Sequence, residues 1–385
     1  MNENTAPKSI NNRPYISVIL PALNEELTIA DCIEEIKTVL YENNISAEII
    51  VSSSSTDRTD EIAENLGAKV IRPEKKGYGN AYLFAFKEAS GEIVVILDAD
   101  GTYDIKKIPA FIKEIESGSD FVMGSRLRGN IMKGAMPALH QYIGNPFLTW
   151  MLNKVFKTNI SDAHCGMRAI KKEALDSLNL KTPGMEFASE MIIEAARKKL
   201  KISEVPIDYY PRRAPSNLHS FADGWRHVRF MLLYQPLPFL AIPGFFFFVM
   251  GATLMILYFL EGDVENANLH SFVLAAILFI GGLQAILMGI NIKTYSVIAG
   301  YSERVGIITK IANYQNLERE LFAGIIIIVA GVIMGIYIIL NWIESGFGSL
   351  FQVTNAVIAL TLFLSGMQII FSAVFNSMML INYDD

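Results

Sequence analysis

Five short apolar runs, each bounded by turn residues, open the chain: YISVIL (15–20), AEIIVS (47–52), AKVI (68–71), EIVVIL (92–97) and DFVMG (120–124). β-Branched residues dominate them, which predicts strands. Between them, Glu25–Tyr41, Asp57–Leu66, Tyr78–Ala89 and Ile105–Glu116 repeat apolar residues at three- and four-residue spacing, which predicts helices. Thr56-Asp57 ahead of its run suits a helix start. Strands alternating with helices predict an α/β domain with a mainly parallel sheet and ligands at the strand C-termini.

Beyond Pro236 the pattern changes to long apolar stretches at about 237–260, 271–290, 322–343 and 353–381. A spanning helix needs about 20 apolar residues, so the tail predicts a domain of four transmembrane helices over 236–385. Gly331 and Gly335 have the GxxxG spacing of a helix-packing face, a spacing that chance also produces. Residues 218–235 place Phe221, Trp225, Val228, Met231 and Leu232 on one helical face with Arg226 and Arg229 beside it. Such a helix suits either the headgroup layer of a bilayer or packing on the first domain. Residues 1–14 are polar, without the apolar core of a signal peptide. The expected organisation is a tail (1–14), an α/β domain (15–217), a juxtamembrane helix (218–235) and the membrane domain.

Composition sharpens this division. Hydrophobic residues make up 51% of the 385 and charged residues 19%, below the quarter usual in soluble proteins. The 33 basic residues divide into 29 before Pro236 and four after it, and the 39 acids into 30 and nine, so the front carries −1 and the tail −5. Neither half has the basic excess of a nucleic-acid binder. Lys293, Arg304, Lys310 and Arg319 all fall between 291 and 321, while Glu261–His270 and Glu344–Gln352 hold no Lys or Arg. The positive-inside rule then predicts a multi-pass cell-membrane protein with the first domain cytoplasmic. Two cysteines, Cys32 and Cys165, give no disulfide framework and fit a reducing compartment.

The candidate chemistry is Asp98-Ala99-Asp100, directly after a predicted strand and before Gly101. Side chains alternate along a strand, so both carboxylates point the same way. Two anions that close need a cation between or beside them, and oxygen ligands favour Mg²⁺ or Mn²⁺. No GxGxxG and no GxxxxGK[ST] occurs, so neither a dinucleotide site nor a P-loop is supported.

Together with DxD, PALNEE (21–26), SSTD (54–57), GYGNA (77–81), LDADGTYD (97–104) and GSR (124–126) resemble the family 2 glycosyltransferases of the GT-A fold. DAHCGMRA (162–169), GMEFASEM (184–191), PRRAPSNL (211–218) and the DGWRHVRFMLL helix are similar to those of polyprenyl-phosphate hexose synthases, the group with dolichol-phosphate mannose and glucose synthases. The resemblance covers about residues 14–235. It implies that Pro21, Ala22, Leu23 and Glu25 hold the nucleoside, with Ala99 beside them, and that Asp98 and Asp100 hold metal and diphosphate. Arg126 would meet phosphate. Ser53 stands where the family usually has an acid that reads a base N–H, and Thr102 where it often has Gln. The usual Gly-x-Ser-Lys-Leu reads Ala214-Pro215-Ser216-Asn217-Leu218, so a lysine is missing, with Arg212 and Arg213 as replacement charge beside Ser216. Glu186 or Glu190 would orient sugar hydroxyls or lie on a solvated helix face. Lys76 reaches the diphosphate or remains a surface lysine. The five histidines show no metal-ligand spacing, and adjacent His164-Cys165 is no nucleophile pair; His140 alone lies where relatives place acceptor-facing basic residues.

The resemblance implies an inverting transfer of a hexose from a nucleotide sugar, UDP-glucose ahead of GDP-mannose, to a polyprenyl or dolichyl phosphate. That acceptor, with a second pKa near ~6, is largely dianionic at neutral pH and needs no general base. Two alternatives compete. A processive polysaccharide synthase needs QxxRW, which is absent. A membrane-anchored binding protein without activity would not need the aspartates and arginines together.

Overall fold

The computed structural model describes residues 14–213, 220–261, 268–301, 317–348 and 352–380. It divides into two compact units, Met1–Phe230 and Met231–Asp385. The first unit runs β1 (Ile16–Ala22), α1 (Ile29–Glu42), β2 (Ala47–Ser53), α2 (Thr59–Asn65), β3 (Lys69–Ile71), α3 (Tyr78–Glu88), β4 (Ile93–Ile96), α4 (Ile108–Glu116) and β5 (Phe121–Ser125). It continues with α5 (Asn145–Phe156), β6 (Arg168–Lys171), α6 (Lys172–Ser177), α7 (Phe187–Arg197) and β7 (Ile202–Pro206), and α8 (Ser220–Tyr234) leads out of it.

The seven strands form one sheet in the order β3-β2-β1-β4-β6-β5-β7. β1 pairs in parallel with β2 and β4, and β5 with β7, while β6 is antiparallel to both β4 and β5. The mainly parallel sheet expected from the apolar runs is present. β6 and β7 are additions, because RAIK and ISEVP are short and interrupted by charge.

Both faces of the sheet are covered, so its strands read as continuous apolar runs rather than alternating ones. Ile16, Val18 and Leu20 pack with α1, which buries Ile29, Cys32, Ile33, Ile36 and Leu40 at helical spacing. On the other face Tyr82 of α3 stacks on Phe187 of α7, ring centroids 5.2 Å apart. Burying a Val, Leu or Ile side chain stabilises by about 1.5–3 kcal/mol, so this two-sided core anchors the strand ends that carry the site.

The second unit contains α9 (Ile242–Glu261), α10 (Leu269–Ile298), α11 (Leu317–Glu344) and α12 (Val353–Leu380). Among the described residues, four helices are long and apolar enough to cross a membrane. α10 runs past the expected end of its span, so Lys293 lies within a helix and Arg319 at the start of α11, rather than in a loop. The apolar count stops at Asn291 and Lys293, whereas the helix carries on past them. Arg304 and Lys310 lie outside the described residues.

Half of the GxxxG spacing packs. A Cβ on Gly331 would stand 2.9 Å from the Ala359 carbonyl oxygen, whereas around Gly335 there is open space. The real seam is Gly324 and Gly331, two turns apart, with Gly324 facing Gly366. α8 also differs from its expected face. His227, Phe230, Met231 and Tyr234 are the buried residues, while Trp225 projects outward. The polar count of His227 hides that stripe from a hydropathy pattern.

Candidate active site

The first two strand ends are laced together. Asn24 takes a left-handed backbone at φ 59°, and its amide N–H donates to Ser55 Oγ at 2.9 Å. Thr56 N–H donates to Asn24 Oδ1 at 2.8 Å, and Glu25 N–H to Thr59 Oγ1 at 2.9 Å. The expected nucleoside residues Pro21, Ala22, Leu23 and Glu25 therefore sit on one braced turn beside Ser53, which β-pairing places opposite Ala22. Leu23 is 45% exposed at the tip. Ser53 is buried, and its hydroxyl accepts from Ser55 N–H at 3.1 Å.

Asp98 and Asp100 follow β4 in the same layer of strand ends. Tyr78 Oη donates to Asp98 Oδ1 at 3.0 Å. Burial, and then the Asp100 charge, push the Asp98 carboxyl up to about 7. Asp100 Oδ1 accepts from Thr102 N–H at 3.1 Å and from its hydroxyl at 2.6 Å, so Thr102 fixes that carboxylate. Arg212 answers the other oxygen with Nε at 3.6 Å and bonds Glu25 through a terminal nitrogen. One guanidinium thus joins Glu25 and Asp100. Burial raises the Glu25 carboxyl, Arg212 opposes that, and Asp100 adds to it.

The antiparallel strand supplies the floor. Arg168 of β6 pairs opposite Ile96 of β4; two residues farther along β4 lies Asp98, and two residues before Arg168 lies Gly166. A Cβ on Gly166 would come within 2.8 Å of Asp98 Oδ2 and of Tyr103 Oη, so any larger residue would have to displace these site atoms. Gly166 N–H donates to Tyr103 Oη at 2.8 Å. Arg168 is buried and spends its guanidinium on backbone carbonyls of Cys165, Ala188 and Ala163 at 2.9, 2.8 and 3.1 Å. It fixes the loop before β6 against α7.

Comparison with known proteins agrees with this geometry. The model for glycosyl transferase family 2 matches residues 17–178, and that for the family 2 C-terminal transmembrane region matches 290–380. The low-salt glycan biosynthesis hexosyltransferase Agl6 of Haloferax volcanii is 40% identical over 364 residues, covering 94% of this chain and 88% of the relative. The chain is a family 2 glycosyltransferase. A dolichyl-phosphate hexose transferase of the same organism is 33% identical over 211 residues, 54% of this chain and 89% of that protein. A dolichol-phosphate mannosyltransferase of Pyrococcus furiosus is 30% identical over 203 residues, 50% of this chain and 56% of that protein. The glycosyltransferase is a multi-pass membrane enzyme with a GT-A catalytic domain.

Within this glycosyltransferase, several expected site residues have other partners. Arg126, expected to meet phosphate, is buried and bidentate to Asp162, with Nε at 2.7 Å and a terminal nitrogen at 2.9 Å. Its guanidinium carbon stands 5.1 Å from the centre of the Tyr209 ring. Arg213 pairs with Asp31 on the exposed surface of α1. Glu190, expected at a sugar, is buried, and its carboxylate accepts from Lys181 N–H, Thr182 N–H and Thr182 Oγ1 at 3.0, 2.9 and 2.6 Å. It holds a turn whose Thr182 and Pro183 carbonyls press on Gly79 and Gly77. The solvated helix face weighed for it does not describe it, because it is buried.

Glu186 remains open, with Oε2 buried and without a hydrogen-bond partner among the described residues. Lys76 is exposed, and its carbonyl accepts from Asn80 at 3.0 Å. His140 is half-buried in the π-helical turn His140–Gly144 before α5. Ser216 lies outside the described residues. Burial pushes the Cys32 and Cys165 thiols up to about 12, so neither is a nucleophile. His164 stands edge-on to His227 at 4.4 Å, and burial holds it neutral. Sequence reading missed Tyr78, Tyr103, Asp162, Gly166 and Arg168. Asp162 and Arg168 bracket the DAHCGMRA motif, which was the available signal.

Proposed function

We propose that this enzyme transfers a hexose from a nucleotide sugar to a polyprenyl phosphate, with UDP-glucose the first donor to test. The observation that carries the reading is the pair Asp98 and Asp100, half-buried together at the end of β4, where burial and then the Asp100 charge raise the Asp98 carboxyl. An all-oxygen donor set in that state fits Mg²⁺ or Mn²⁺, and Asp98 and Asp100 would hold the ion. When bound, it supplies charge neutralisation for the leaving diphosphate. Pro21, Ala22, Leu23 and Ala99 line the nucleoside side, and Ser53 presents a neutral oxygen there. Lys76 stands by for the diphosphate, and Glu186, whose buried Oε2 has no hydrogen-bond partner among the described residues, is the candidate for sugar hydroxyls.

The acceptor phosphate, largely dianionic at neutral pH, attacks the anomeric carbon in line, opposite the leaving nucleotide, and inverts it. No side chain has to take a proton. Arg212 is the guanidinium best placed to hold phosphate charge, because it already answers Glu25 and Asp100; His140, Arg213 and Ser216 are secondary candidates. Arg126 contributes by fixing Asp162 and the loop before β6. The four basic residues at 291–321 support a cytoplasmic catalytic domain.

Membranes holding the enzyme should be incubated with each of a panel of radiolabelled nucleotide sugars, with and without polyprenyl phosphate. The expected result is one label moving into chloroform-soluble material only when the lipid phosphate is present. No lipid-dependent product from any donor overturns the proposal.

A further inference from the structure

Past β7 the chain is threaded between two loops of the catalytic unit. Tyr209 N–H donates to Asn130 O and Met132 N–H donates to Tyr209 O, both at 2.9 Å. Tyr210 N–H donates to Thr102 O, also at 2.9 Å. These bonds fix the backbone up to Tyr210 beside the DxD turn and deliver Arg212 to Glu25 and Asp100.

The two grips of Arg212 differ. Glu25 takes a hydrogen bond from a terminal nitrogen. Nε is buried without a hydrogen-bond partner among the described residues, and it stands 3.6 Å from Asp100 Oδ2. That separation is beyond a hydrogen bond, so charge alone holds Arg212 to Asp100. Asp100 has its other oxygen, Oδ1, tied to the Thr102 N–H and hydroxyl. The oxygen left for a metal is therefore the one that Arg212 faces. A guanidinium and a divalent cation repel each other, so they compete for that oxygen.

We propose that Arg212 is an internal counter-ion that stands in for the metal charge at Asp100 and gives way when the metal enters. The inference rests on the assignment of metal to Asp98 and Asp100, and adds that the enzyme carries its own competitor for the ion. The apparent metal affinity is the intrinsic one multiplied by the fraction of molecules in which Arg212 has let go.

Two measurements on the full chain in detergent test this, with Mn²⁺ alone as the probe. Free Mn²⁺ is followed by its electron paramagnetic resonance signal. Arg212→Gln should bind Mn²⁺ about tenfold more tightly than wild type. Arg213→Gln removes the same charge from a side chain paired with Asp31, and should stay within about twofold of wild type because an exposed charge is screened. In the second measurement phenylglyoxal, which reacts with guanidinium groups, is added to the unaltered chain, and modification of each arginine is read by peptide mass. Bound Mn²⁺ should speed modification of Arg212 several-fold and leave Arg213 unchanged. This arm decides the matter even where Arg212→Gln folds poorly. Equal Mn²⁺ affinity in the two variants, or an Arg212 modification rate that bound Mn²⁺ does not raise, overturns the counter-ion role and leaves the metal assignment standing. Failure of both wild type and Arg212→Gln to bind Mn²⁺ overturns the two together.

Discussion

The two units hide opposite kinds of residue. In the catalytic unit the fully buried side chains are large, among them Arg168, Tyr82, Phe111, Phe121 and Phe187. In the membrane unit, Met231, Tyr234, Phe272, Lys293 and Leu380 apart, the buried residues are mostly small, among them Gly244, Gly251, Gly282, Ala275, Ser365, Gly366 and Ala373. Its large residues, such as Phe245, Ile333 and Phe375, face out. Water drives bulk inward in the first unit. Lipid is as apolar as leucine, so in the second only close backbone approach distinguishes inside from outside. Hydrophobicity therefore predicts the core of one unit, and smallness that of the other.

The sharpest break should come from the largest buried group. Arg168→Met exchanges a satisfied guanidinium for three carbonyls without donors and should destabilise the catalytic unit by about 3–5 kcal/mol. Thermal unfolding of the detergent-solubilised chain measures this, and an unchanged midpoint would contradict the role given to Arg168. Next, Asp98→Asn or Asp100→Asn should lower turnover at least about a hundredfold with the fold retained. EDTA should abolish wild-type activity and Mg²⁺ or Mn²⁺ restore it; full activity in chelator would sink the metal assignment.

In the membrane unit, Gly331→Ile should loosen the α11–α12 pair by about 1–3 kcal/mol, and Gly335→Ile should stay within about 0.5 kcal/mol of wild type. Comparing the two by resistance to denaturing detergent tests the seam directly, because equal effects would mean that the GxxxG spacing matters and the observed contact does not. The smallest effect is electrostatic. A hydrogen bond from Lys171, with Lys201 N–H, holds the Asp120 carboxyl below its usual range. Its folded pKa is therefore below the unfolded value near ~3.9, so the contribution is complete at neutral pH and is lost as acid takes the medium through the folded value. Both partners are partly exposed, so it amounts to less than about 1 kcal/mol. Asp120→Asn should remove that part of the acid sensitivity while leaving turnover alone.

Much of this was legible in the order of residues. Five strands announce themselves because two covered faces demand continuous β-branched runs, and Asp98 with Asp100 stands out because period two aims both carboxylates one way. β6 escapes since four residues with a charge at each end carry no period. Partnerships escape for a different reason. Arg212 and Glu25 are 187 residues apart, and nothing local tells Arg126 that Asp162 awaits it. The solvated face weighed for Glu190 failed because a carboxylate on a helix looks the same whether it meets water or ties a buried turn. Burial and donor geometry decide, and those exist only after folding.

The place of β6 between β4 and β5 also sets an order of events during synthesis. The sheet cannot close when β5 is made, since β4 and β5 touch only through a strand that comes later in the chain. It closes with β6, and β7 then completes it at Pro206, before the first span begins at Leu237. Every strand and all its partners are made before that first span, so no part of the sheet waits for the bilayer. In the spans α9 meets α10 and α11 meets α12 as sequence neighbours, and α10 also meets α12. A lesion in a span should therefore leave behind a catalytic domain that has already folded, and one in β6 should leave the ribosome handing the membrane a chain whose sheet is still open.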